Sequence, residues 1–263
     1  MIRGMVLGHY MPLQSPVHNL DPRTKIAVAV LFTVSVFLVA DVVGYGVLLA
    51  LLGLGVALSH TKASTFLRAL KPLVWVMAIS FLLNAFLTEG RPLLVLGTLR
   101  VTHEGLRSGL EMLARLSLLL GASSLLTLTT SPIEITDGLE ALLRPFRRLG
   151  VPAHELAVMM SIALRFIPTL GEEAEKIASA QISRGADFGT GGLMRRSRSL
   201  VSLLVPLFVS SFRRADELAM AMEARLYRGG VGRTRLRQLR FRRADVVAAA
   251  VVVPSIIFGT VFH

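Results

Sequence analysis

The chain contains no cysteine. That excludes a disulfide framework, a thiol nucleophile and a thiolate metal site. Tyr and Trp are scarce, three and one respectively, and aromatics of all kinds make up only 6% of the chain. The net charge is +12, but the basic residues lie beside apolar runs, so nucleic acid is set aside as a partner. Anionic lipid headgroups and an acidic protein surface suit such a charge better. No G-x-x-x-x-G-K-[ST] phosphate loop is present, because the Gly189–Gly192 run has no lysine after it. H-E-x-x-H and G-x-S-x-G are also missing, and the six His are scattered, so no catalytic residue, metal site or bound cofactor is expected in this chain. The first 24 residues lack the apolar stretch of a cleavable signal peptide.

Apolar residues, by contrast, are abundant. They make up 53% of 263 residues, and the mean hydropathy is +0.62, which reads as an integral membrane protein. Ile26–Leu58 is apolar except for Asp41. As one helix it would run roughly 50 Å, well beyond a bilayer core of about 30 Å, so it must fold back near Asp41, Gly44 and Gly46. The expectation is an all-α, polytopic membrane fold with about five transmembrane helices. Residues 1–130 hold four spans (24–41, 43–59, 72–88, 106–130), 131–243 form a region of long amphipathic helices at the cytoplasmic membrane surface, and 244–263 form the last span. Within the fourth span Glu111 and Arg115 stand at i,i+4 and are expected to pair. Residues 131–243 carry 19 of the 29 Lys+Arg, which places them and the N-terminus in the cytoplasm.

The long region divides into three expected helices. Ile133–Arg147 is capped by Ser131, opened by Pro132 and closed at Gly150. Ala153–Arg184 is stopped by Gly185, and Ser199–Arg228 is stopped by Gly229-Gly230. Pro168 and Pro206 interrupt the last two. Phe188–Gly192 reads as a turn, and Arg233–Arg243 as a basic linker.

The last two helices end alike. Arg184 and Arg225 stand 41 residues apart, and their flanks match: Glu175 with Asp216, Ile177 with Leu218, Ala178 with Ala219, Ala180 with Ala221 and Ser183 with Ala224. One reading is simple capping, a cation complementing the helix dipole. The other is docking, since a guanidinium offers a fork of donors to carboxylates or carbonyls. A second motif precedes the first span: Ser15-Pro16-Val17-His18-Asn19-Leu20-Asp21-Pro22-Arg23-Thr24-Lys25. Asp21 and Pro22 suit a helix start, but capping leaves His18 unexplained. Met159, Met160, Met220 and Met222 suit either core filling or a surface that repacks against several partners.

These motifs together resemble the transmembrane T component of energy-coupling factor (ECF) transporters, a class of ATP-binding cassette (ABC) importers. The resemblance rests on His18, Leu20, Asp21, Pro22, Arg23 and Lys25 after Ser15, and on the doublet Ser183-Arg184-Gly185 and Ala224-Arg225-Leu226. It covers nearly the whole chain. Leu226 departs from the usual glycine, so the second helix is expected to run on toward Gly229. The resemblance implies a multi-pass protein of a prokaryotic cell membrane, without enzymatic activity of its own, that docks two ABC ATPase subunits through the two arginine motifs. Those partners bind ATP-Mg. Their motion passes to a membrane substrate-binding S component, for vitamin or micronutrient uptake. Met159, Met160, Ala163, Phe166, Ile167, Leu204, Leu207 and Phe208 are the expected contacts to that S component. The alternative is a stand-alone secondary transporter or channel using Glu111, Arg115 and Asn84.

Overall fold

A computed structural model describes residues 11, 13, 15–39, 41–61, 63–96, 99–186, 192–229, 239 and 241–261. Most of the expected turn Phe188–Gly192 and of the basic linker Arg233–Arg243 lies outside them. The chain is helical almost throughout, as a polytopic helical membrane protein should be. Among the described residues, His103–Thr129 and Ala153–Ser183 are long and apolar enough to cross a membrane by length and composition.

The chain divides into two compact units, one within Glu140–Arg237 and the other within Gly8–Leu139 with Gln238–His263. The latter contains α1 (Pro22–Leu38), α2 (Val42–Leu58), the short α3 (Ala63–Leu70), α4 (Val74–Leu87), a two-stranded antiparallel ribbon, α5 (His103–Thr129), most of α6 (Pro132–Leu143) and α9 (Arg243–Val261). α5 is its axis and packs against α1, α2, α3 and α4, while α9 packs against α1 and α2. Phe32, Val36, Val39, Tyr45, Leu48, Leu118 and Ala122 form the buried core. Small residues let the helices approach closely. At Gly105 an added Cβ would stand 2.7 Å from the Asn84 carbonyl oxygen and 2.9 Å from that of Ala85, so α5 meets α4 backbone to backbone there.

The ribbon was not expected. β1 (Pro92–Leu96) pairs with β2 (Leu99–Thr102), Val95 opposite Arg100 and Leu96 opposite Leu99. Two short apolar runs separated by Gly97-Thr98 carry the usual hairpin signal. Thr102 then caps α5, accepting from the Gly105 N–H at 3.0 Å.

α6 begins as expected. Ser131 Oγ accepts from the Glu134 N–H and the Glu134 carboxylate accepts from the Ser131 N–H, at 3.3 and 3.1 Å, a reciprocal capping box. Its α-helical part stops at Leu143, short of the expected Arg147. Arg144–Leu149 tightens into a 3-10 turn that ends at Gly150, φ +87°. Pro145 explains the change, because it has no N–H to give an i→i−4 bond.

The second unit is built on α7 (Ala153–Ser183) and α8 (Leu193–Ala224). α8 starts six residues before the expected Ser199 and ends four before Arg228. Leu193–Arg198 is basic rather than apolar, yet Met and Arg are good helix formers. Pro168 and Pro206 sit inside these continuous helices.

Candidate functional site

The two arginine ends share one backbone structure. Arg184 is the C-cap of α7 and Arg225 that of α8, with φ,ψ of −90°,8° and −91°,14°. After Arg184 the chain turns left-handed at Gly185, φ +85°. The Gly185 N–H reaches the Ile182 carbonyl at 2.9 Å and the Ala186 N–H reaches that of Gln181 at 2.9 Å. After Arg225 the left-handed residue is Leu226, φ +58°. The Leu226 N–H reaches Glu223 at 2.8 Å and the Tyr227 N–H reaches Met222 at 3.0 Å. Both are Schellman closures. The expectation that the second helix continues toward Gly229 is therefore corrected: Leu226 adopts the glycine conformation itself and α8 stops in the same register as α7. Both arginines are exposed, and neither guanidinium is held by another described residue.

The second end is anchored by a side chain just beyond its arginine. Tyr227 Oη and His154 Nε2 are 3.4 Å apart, and His154 Nδ1 lies 3.2 Å from Glu140 Oε1. A carboxylate only accepts, so Nδ1 donates to it and Nε2 accepts from the phenol. A leucine held left-handed costs about 1–2 kcal/mol, and glycine gives back part of that in unfolded-chain entropy. Leu226→Gly is accordingly expected to stabilise the protein by roughly 0.5–1 kcal/mol, read as a higher thermal midpoint in detergent, while Gly185→Leu lowers it. A lower midpoint for Leu226→Gly would mean that the side chain earns its place by contacts outside this chain.

α7 and α8 run antiparallel. Arg214 on α8 pairs with Glu173 on α7 at 3.1 Å, and Gln181 Nε2 donates to the Ser202 carbonyl at 3.3 Å. Glu173 and Arg214 are themselves 41 residues apart, the same offset as the two arginine ends, so they occupy equivalent positions in the two helices. Each C-cap arginine lies eleven residues beyond its member of this pair. At 1.5 Å per residue the two ends stand about 33 Å apart along the pair, at opposite extremities.

Of the apolar residues expected on this unit, Met159, Met160, Ala163 and Ile167 are exposed on α7, as are Leu204 and Phe208 on α8; Phe166 and Leu207 are half-buried. With Leu200, Val201, Val205, Val209 and Phe212, also exposed, they make α8 apolar on its surface for more than three turns, far more than scattered surface hydrophobics require. Phe166, Leu170, Leu218 and Met222 line an apolar groove of about 310 Å³ between the two helices.

The N-terminal motif is a knot of hydrogen bonds in the first unit described. His18 Nε2 lies 3.1 Å from the Met11 carbonyl, and Nδ1 lies 2.6 Å from Ser15 Oγ. The carbonyl needs a donor, so Nε2 carries the proton and Nδ1 accepts from the hydroxyl. Burial, and then the Lys25 charge, hold the His18 pKa below its ordinary value. Lys25 is 6% exposed and donates to the His18 and Thr129 carbonyls at 2.9 and 3.0 Å. Asp21 caps α1 by accepting from the Arg23 N–H at 2.9 Å, Pro22 opens the helix, and the Arg23 guanidinium lies over the Phe241 ring at 5.6 Å. Leu20 is half-buried in the turn between them. Asp245, 2% exposed, completes the knot: its carboxylate accepts from the backbone N–H of Asp21 and of Arg242, each at 2.7 Å. Sequence reasoning left Thr129 and Asp245 out of the motif. An acid at the very start of an apolar span was the signal for the second.

The expected Glu111–Arg115 pair does not form. Arg115 donates to Tyr45 Oη on α2 at 2.9 Å, and Glu111 accepts from Arg107 at 2.9 Å. The phenol, on a packed neighbouring helix, takes the arginine and leaves the carboxylate to the exposed cation one turn back. Asn84 donates to the Ser80 carbonyl of its own helix. Among the described residues no group of His, Asp and Glu is arranged to hold a metal ion.

A family model described as CbiQ, cobalt transport protein, matches residues 14–236. The chain is 53% identical over 247 residues to the energy-coupling factor transporter transmembrane protein EcfT of Thermosediminibacter oceani, covering 94% of this chain and 93% of the relative. It is 51% identical to the EcfT of Acidaminococcus fermentans over 254 residues, with 96% and 94% covered. To that of Heliobacterium modesticaldum it is 52% identical, with 96% and 95% covered.

Proposed function

This chain belongs to the CbiQ family and, within it, to the transmembrane T components of energy-coupling factor transporters, and on that premise we propose that it joins two ABC ATPase subunits to a membrane S component. The observation that carries the reading is the pair of matching helix ends, each offering an arginine that no other described residue holds, at the two extremities of one antiparallel helix pair. One ATPase takes Arg184 with Ser183 and Gly185; the other takes Arg225 with Ala224 and Leu226. Ser183 and Ala224 are small, so a groove wall approaches each helix end closely, and the guanidinium finds acceptors within it. ATP and Mg²⁺ belong to the partner subunits.

The exposed apolar surface of α7 and α8, including Met159, Phe208 and Leu204, receives the S component, which carries vitamin or micronutrient specificity. The N-terminus and residues 131–243 face the cytoplasm, with the basic side chains against anionic headgroups. The rival reading, a stand-alone secondary transporter or channel through Glu111, Arg115 and Asn84, loses support because the three do not converge: each bonds a different neighbour, Arg107, Tyr45 and the Ser80 carbonyl. Co-expression with a tagged pair of ABC ATPases and an S component tests the proposal. The chain is expected to co-purify with both and to support ATP-dependent uptake in liposomes. Uptake by this chain alone, without ATPases, would overturn it.

A further inference from the structure

The chain passes from the first unit to the helix pair within α6 and returns ahead of α9. Both passages are held, on the side of the first unit, by the same short segment. On the outgoing side, the Met11 N–H donates to the Leu128 carbonyl at 3.2 Å, and Lys25 donates to the carbonyl of Thr129 next to it. Glu134, in the first turn of α6, acts on that ammonium electrostatically together with Asp245 and Asp21. Four residues past the capping box, α6 lies against the motif helix itself. A Cβ added at the buried Gly138 would stand 2.9 Å from Ile26 Cδ1, 3.1 Å from Pro22 Cβ and 3.3 Å from the Pro22 carbonyl carbon. On the returning side, Asp245 binds the Asp21 N–H and the Arg242 N–H with one carboxylate, and Arg23 lies over Phe241. Helix capping requires none of this. It uses Asp21 Oδ1 and Pro22, and leaves Lys25, His18 and the glycine contact unaccounted for.

We propose that Ser15–Lys25 is a clasp that fixes both chain passages to and from the helix pair, supplying the stationary support from which the arginine-bearing helices transmit ATP-driven motion. The transmitting role rests on the functional reading above; the clasping role does not. Lys25→Met removes the donor to Thr129 and His18. Gly138→Ala is the gentler probe: the Ile26 tip, its nearest contact, can yield, while the rigid Pro22 ring and backbone cannot, so α6 is eased slightly away from α1.

Two measurements separate the roles. Amide hydrogen exchange on the purified full chain is expected to rise in both variants at residues 132–139 and at 243–249, with α2 and α4 unchanged. A rise at one passage alone, or spread through α2 and α4, would overturn the clasp. In liposomes with two ATPases and a riboflavin-binding S component, the ATPase content is expected to match the unsubstituted complex. Radiolabelled riboflavin taken up per ATP hydrolysed is expected to fall roughly 2- to 30-fold. Undiminished uptake per ATP with both passages loosened would overturn the support role. Should Lys25→Met not accumulate, Gly138→Ala carries both measurements. Should the unsubstituted chain bind no ATPase, the functional reading falls, and the exchange data still decide the clasp.

Discussion

Replacing Arg184 and Arg225 together by Glu is expected to abolish both ATPase co-purification and ATP-driven uptake. Each guanidinium, if buried and paired in a partner groove, is worth on the order of 2–5 kcal/mol, a weakening of roughly 30- to 5,000-fold per site. The chain should fold normally, because each Schellman closure uses only backbone N–H and C=O groups and neither side chain is held by another described residue. Single substitutions should each leave one dock intact and give partial assembly, which two separate partners require. Lys at either position keeps the charge but not the planar fork, so it should recover only part of the loss. Normal assembly and transport in the double variant would remove the docking role.

Asp245→Ala is expected to produce a large loss of stability. The carboxylate is buried and accepts two backbone N–H groups, from Asp21 and Arg242. The Asp21 N–H is buried, and leaving it unpaired costs about 1–3 kcal/mol, to which the part-buried Arg242 N–H adds a smaller amount. For a chain of this size that lowers the thermal midpoint in detergent by on the order of 10 °C. Asp245→Asn keeps one carbonyl oxygen and should lose less. An unchanged midpoint for the alanine variant would mean that the two N–H groups find other acceptors, and that the start of the first helix and the start of the last are joined by packing alone.

Features whose causes lie within a few residues were legible in the sequence. Asp21-Pro22 announced the start of α1, Ser131 with Glu134 that of α6, and Gly185 the end of α7. Features set by distant partners were not. Nothing near Asp245 says that it will meet a backbone N–H 224 residues earlier, and nothing near Arg115 names Tyr45. The left-handed Leu226 was hidden for a related reason. Glycine is the local sign of that conformation, and here the backbone bonds of a helix end impose it on leucine. The start of α8 was misplaced because apolar periodicity marks where a helix is buried, and a basic helical turn has none. The doublet, in contrast, was readable as a repeat, though its geometric meaning depended on Glu173 and Arg214 meeting across the pair.

That meeting has a mechanical consequence. Equivalent residues touch midway between the two arginine ends, so each arginine stands about 16 Å along its helix from the Glu173–Arg214 pair. Equal and opposite displacements of the two tips cancel as translation and add as torque. On the function proposed above, partners that close symmetrically on the two arginines would turn the helix pair about Glu173 and Arg214 rather than translate it, and would sweep its apolar surface rather than lift it.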